Sequence, residues 1–117
     1  MKNSERMETL LSVIQKLKAR GNGNEFRMDE KGFICDFNNK YYKPGDLEII
    51  KTYRFEGESD PADSSILYVI RDLKTGMIGF CTSVYGAQSD NPALEEFIKK
   101  IPVRREEEIF TFPYPIH

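Results

Sequence analysis

Apolar residues recur along this chain with two different periods, and the change of period sets the predicted elements. Near the start, Met7, Leu10, Leu11, Ile14 and Leu17 share one face at helical spacing, while Glu8, Ser12, Gln15 and Lys16 face away. The pattern predicts a helix from about Ser4 to Arg20. Lys16, Lys18 and Arg20 near its end suit the helix dipole, and Gly21-Asn22-Gly23-Asn24 stops it. The stripe reads as a core-packing face, with a partner-binding helix as the alternative.

Beyond Asn24 the period falls to two. Phe26–Met28 and Phe33–Phe37 flank Asp29-Glu30-Lys31-Gly32, a hairpin loop with Gly32 at a left-handed position. Asn38 to Asp46 reads as a loop, on the strength of Asn38-Asn39 and Pro44-Gly45. A long strand follows from about Leu47 to Glu56. Its apolar positions Leu47, Ile49, Tyr53 and Phe55 predict a buried face, and Glu48, Thr52, Arg54 and Glu56 a wetter one. After a loop over Gly57 to Ser65, Ile66–Ile70 is apolar on both faces and suits a central strand. Asp72–Gly76 is a second tight hairpin loop, and Met77–Tyr85 the last clear strand.

A second helix opens at Asn91-Pro92, a capping residue followed by proline at the first helical position. Glu95 and Glu96 lie in its first turns, Lys99 and Lys100 in its last, and Leu94, Phe97, Ile98 and Ile101 form its apolar face until Pro102 ends it. The segment 102–117 joins a charged run, Arg104 to Glu108, to an aromatic stretch. It is compatible with an edge strand, a docked arm or a disordered end. The expected architecture is α+β: an antiparallel β-meander of about five strands, with an N-terminal and a C-terminal helix packed on one face. A single domain over residues 1–117, with its core at about 4–101, fits this length. The opposite sheet face, carrying Thr52 and Arg54, is then the place to seek partners.

Composition narrows the function classes. The 17 basic residues are scattered and outnumbered by 19 acidic ones, which disfavours nucleic-acid binding. Such binding would need a basic face built from Lys16, Lys18, Arg20 and Lys40. Cys35 and Cys81 lie far apart outside any CxxC pair, and the single histidine is His117, so no Cys/His metal site is expected. Both cysteines read as buried thiols, with a disulfide left open by counting alone. The polar N-terminus carries no signal-peptide core and no long apolar run occurs, which makes a cytoplasmic location the default expectation. No phosphate loop, GxGxxG or HExxH motif is present, and no cofactor is expected.

The densest candidate chemistry is Tyr53 to Asp63. Glu56, Glu58, Asp60 and Asp63 supply four carboxylates, but their spacing matches no EF-hand loop, and Asp60-Pro61 is complete as type I turn chemistry. The candidate ligand-binding set is Arg54, Glu56, Asp60, Asp63, Tyr85 and Gly86, in a pocket where the Tyr53–Asp63 segment meets the Tyr85–Asp90 loop. No catalytic residue is assigned.

The stretch YRFEGESDPADSSILYVI, the Lys-Thr-Gly hairpin after it and GFCTSVYGAQSD together resemble a family of small bacterial proteins of unknown function. The likeness extends over roughly Leu10 to Asp90 and includes a leading helix ending in a KLKARG-like segment. Members are sometimes labelled phosphoribosylpyrophosphate synthetase. Such synthetases are much longer and need a site for ATP, ribose phosphate and magnesium, of which this chain has no evident equivalent. Ser83 stands where similar proteins tend to carry an acid before the Tyr-Gly pair. The resemblance implies no catalytic residue. The expected function is a non-catalytic binding or interaction module, self-associating through a strand edge or the open sheet face. The alternative is a small enzyme or ligand-binding domain for a phosphate- or carboxylate-bearing metabolite.

Overall fold

A computed structural model describes residues 9–56, 65–84 and 91–113. The first helix, α1, spans Leu10–Ala19. Thr9 sets its start: the threonine hydroxyl accepts the Ser12 N–H at 3.0 Å, and the Ser12 hydroxyl takes the Thr9 N–H in return. The helix therefore begins later than the expected Ser4, and Met7 lies outside the described residues. Ten residues are too few for an isolated helix in water. What holds α1 is its packing, because Val13 and Leu17 are buried against the sheet.

Among the described residues seven strands form one sheet: β1 Asn24–Met28, β2 Phe33–Cys35, β3 Lys40–Tyr42, β4 Leu47–Glu56, β5 Ser65–Asp72, β6 Ile78–Val84 and β7 Val103–Pro113. A 3₁₀ turn, Pro44–Asp46, joins β3 to β4, and the second helix, α2, covers Pro92–Lys99. The spatial order is β3-β2-β1-β6-β5-β4-β7. Two antiparallel meanders, β1-β2-β3 and β4-β5-β6, lie side by side. They meet at a parallel seam, with Asn24 opposite Gly79 and Glu25 opposite Phe80. A second parallel pair joins β7 to β4.

The sheet is thus mixed, which overturns the expected five-strand antiparallel meander, and three features mark the difference. First, β3 falls within the segment expected to be loop. Its three residues sit between strong turn signals, Asn38-Asn39 and Pro44-Gly45, that hide so short a strand. Second, residues 103–113 of the tail form an edge strand, the one of the three open alternatives that needed a partner, β4, to exist. Third, the helices cover opposite faces. On β5, Leu67 and Val69 belong to the cluster around α1, whereas Ile70 and the partly buried Tyr68 belong with α2. Adjacent strand residues point to opposite sides, so the two clusters are separated by the sheet. The proposed open face carrying Thr52 and Arg54 is therefore withdrawn; Thr52 is buried.

A β-bulge in β4 explains why simple alternation misreads that strand. Ile49 pairs with Ile70 and Lys51 with Val69, leaving Ile50 as an extra residue. Leu47 and Ile49 then face α2, while Ile50, Tyr53 and Phe55 pack toward α1. One strand serves two cores by changing face at the bulge.

The sheet also curls. In a flat sheet β3 and β5 would lie about 19 Å apart, four strand spacings. Yet the Tyr42 hydroxyl donates to Asp72 Oδ2 at 2.8 Å. The curl wraps the β1-β2-β3 meander around α2, where Phe33 stacks on Phe97 with centroids 4.4 Å apart.

Candidate functional site

The curl leaves a gap between the free edge of β3 and the start of β4. In it lies a cleft of about 430 Å³ lined by Lys40, Gly45, Asp46, Asp72, Leu73 and Lys74. Its walls are fixed by local turn chemistry. Asp46 Oδ2 accepts the Lys43 N–H at 3.0 Å and closes the 3₁₀ turn. The Asp46 carbonyl accepts the Leu73 N–H at 3.0 Å, tying that turn to the β5–β6 hairpin. Within the hairpin, Asp72 Oδ1 accepts the N–H groups of Lys74 at 2.8 Å and Thr75 at 3.2 Å. Gly76, at φ 81°, completes a turn that a side chain would strain.

Asp72 is 2% exposed, with one oxygen on two amides and the other on Tyr42. Burial pushes its carboxyl upward. The Tyr42 hydroxyl and the two N–H groups outweigh that, and the net direction is below the usual carboxylate range. Tyr42 moves the other way. Burial, helped by the neighbouring Asp72 charge, lifts its phenol to about 12, against a smaller lowering by the Asn38 amide 3.1 Å away. At neutral pH the pair is a fixed phenol–carboxylate clasp, with Asp72 ionised and Tyr42 protonated. Neither group is poised to exchange a proton with a ligand.

The lysines differ from the acids. Lys40 places its ammonium 4.8 Å from the centre of the Tyr42 ring. Both Lys40 and Lys74 are exposed at the cleft, and among the described residues neither has an ion-pair partner. Exposed Leu73 adds an apolar patch between them. This arrangement can hold an anion. Among the described residues no group of three or more His, Cys, Asp or Glu side chains is arranged to hold a metal ion.

The residues expected from the sequence lie elsewhere or outside the description. Arg54 is an exposed residue of β4 opposite Ile66, toward the far end of the strand from Asp46. The backbone of Glu56 closes β4 opposite Pro113, and its side chain is not among those described. Asp60, Asp63, Tyr85 and Gly86, with the pocket expected around them, lie outside the described residues. The basic face suggested for nucleic acid is not assembled: Lys40 turns toward Tyr42 on the α2 side, whereas Lys16, Lys18 and Arg20 belong to or end α1. Sequence reasoning missed the Tyr42–Asp72 clasp because it joins residues 30 apart on non-adjacent strands. The available signal was Asp72 opening a hairpin as Asp29 does.

No family model, curated protein or solved structure matches the chain. Among the described residues no helix is long and apolar enough to cross a membrane. Cys35 and Cys81 are both buried free thiols, and burial pushes Cys81 up to about 12.

Proposed function

We propose that this chain is a non-catalytic binding module whose cleft beside β3 takes an anionic group, a carboxylate or a phosphate. One observation carries the reading. The buried acid of the cleft, Asp72, is saturated by internal donors, while Lys40 and Lys74 are exposed residues of its lining. Asp46 stands at the rim with its Oδ2 already on the Lys43 N–H. The ionisation of Tyr42 and Asp72 supports binding over chemistry, since each is held on the inactive side of neutrality.

Titrating ¹⁵N-labelled protein with citrate and with inorganic phosphate tests the reading. Amide shifts should concentrate at Lys40, Leu73 and Lys74, and the double variant Lys40→Ala/Lys74→Ala should lose them while staying folded, with a small drop in melting temperature from the lost Lys40–Tyr42 contact. A ligand at 100 times its dissociation constant should also raise wild-type stability by about 2.7 kcal/mol. Shifts confined to other regions, or unaffected by the double variant, would remove the cleft as the binding site.

A further inference from the structure

The cleft does not lie just anywhere on the surface. One wall is β3, an edge strand that among the described residues pairs only with β2, through Phe33–Tyr42, Ile34–Tyr41 and Cys35–Lys40. The opposite wall is the 3₁₀ turn and the β5–β6 hairpin, locked together by the Leu73 to Asp46 hydrogen bond. A slot bounded on one side by a sheet edge is shaped for an extended chain. The Lys40 N–H is already taken by Asn38 Oδ1 at 3.0 Å, so the remaining backbone groups on the outer edge of β3 would supply the ladder, as in other strand-addition sites.

We infer that the anion taken by this cleft belongs to an extended acidic peptide segment that adds to β3 as an eighth strand. The inference rests on the anion-binding reading above and names the chemical class of its ligand. Charge complementarity selects an acidic segment. Lys40 and Lys74 stand on the two walls, and exposed Lys43 follows β3 directly. Strand alternation supplies the rest of the fit. Lys40 and Tyr42 point to one side of β3, where the Lys40 ammonium sits over the Tyr42 ring. Tyr41 points to the other, its hydroxyl donating to Asp29 Oδ2 at 2.6 Å while 42% of the residue stays exposed. Acidic side chains alternating with apolar ones would therefore meet the lysines on one face and Tyr41 on the other. A three-residue edge bearing lysine is also a poor template for sheet polymerisation, which favours a single docked segment over open-ended stacking.

The experiment uses the full chain and a blocked hexapeptide of alternating glutamate and valine. Two analogues carry N-methyl groups, one on all valine amides and the other on all glutamate amides. Successive amides of a strand point to opposite sides, so one analogue should lose about tenfold in affinity while the other keeps most of it. Lys40→Glu/Lys74→Glu should weaken the parent peptide about tenfold, and raised salt should weaken its binding to the wild-type protein. Citrate should bind more weakly than the peptide at the same amides. If both methylated analogues bind like the parent, or citrate binds as tightly, strand addition is overturned and only the anion site stands. If neither peptide nor citrate binds, the anion reading falls as well. A dimer whose formation shifts the β3 amides without peptide would make a second copy the occupant and overturn the proposal.

Discussion

Replacing Tyr42 with phenylalanine removes one oxygen from the clasp and leaves its packing in place. The ring keeps its edge-on contact with Phe26, centroids 5.5 Å apart, so the change removes only the hydroxyl's hydrogen bonds, the one to Asp72 and the one from the Asn38 amide. Asp72 loses one of the three donors that hold its buried charge. A hydrogen bond to an ionised buried group contributes about 1.5–3 kcal/mol, which places the expected loss near 2 kcal/mol at neutral pH. For a domain of this size that is roughly 6–12 °C in melting temperature.

The pH dependence makes the prediction sharper. The lowered Asp72 pKa contributes stability that is present above its unfolded value, about 4, and lost as pH falls through the folded value. The raised phenol pKa contributes stability that is present below about 10 and lost as pH rises toward 12, worth roughly 1–3 kcal/mol. Phenylalanine lacks the second contribution and part of the first. The stability difference between wild type and Tyr42→Phe should therefore form a plateau between about pH 5 and pH 10 and decline on both sides. Urea unfolding across this range measures it, with Asp72→Asn and the double variant closing a cycle. A loss below about 0.5 kcal/mol at neutral pH, or a difference that stays constant to pH 12, would refute the clasp as the tie that holds the curl.

Two further outcomes follow from the packing. Gly79→Ala would drive a Cβ into the Asn24 carbonyl oxygen and set it 2.8 Å from the Phe26 ring, at the seam where the two meanders join; circular dichroism under urea should show a loss of about 3 kcal/mol or more, and a loss below about 1 kcal/mol would show that the seam yields. Both cysteines should be inert to a thiol reagent in the native state and react together on unfolding, since Cys35 and Cys81 are at most 1% exposed; one thiol reacting fast without denaturant would contradict their placement.

Much of the secondary structure was legible locally. The Asn91-Pro92 opening of α2, the buried face of Leu94, Ile98 and Ile101, and the Asp29 and Asp72 hairpins all appear where the sequence places them. These features depend on neighbours within a few residues, and a capping side chain or an apolar stripe carries its own signal. The candidate site was legible only in part. Lys40 drew notice as a scattered charge and Asp72 as a turn residue, but nothing local joins them.

Periodicity and turn chemistry alone determined that this protein has two helices with a β-rich stretch between them. Tertiary structure decided how those strands pair, which faces the helices cover and where the cleft lies. Parallel pairing of β1 with β6 and of β4 with β7 joins segments about fifty residues apart, and its hydrogen bonds use backbone groups that every residue possesses. The Ile50 bulge likewise leaves no mark in composition, because its reason is a second core on the far side of the sheet. A side chain is selected for the face it finally meets, and that face exists only after the sheet has curled.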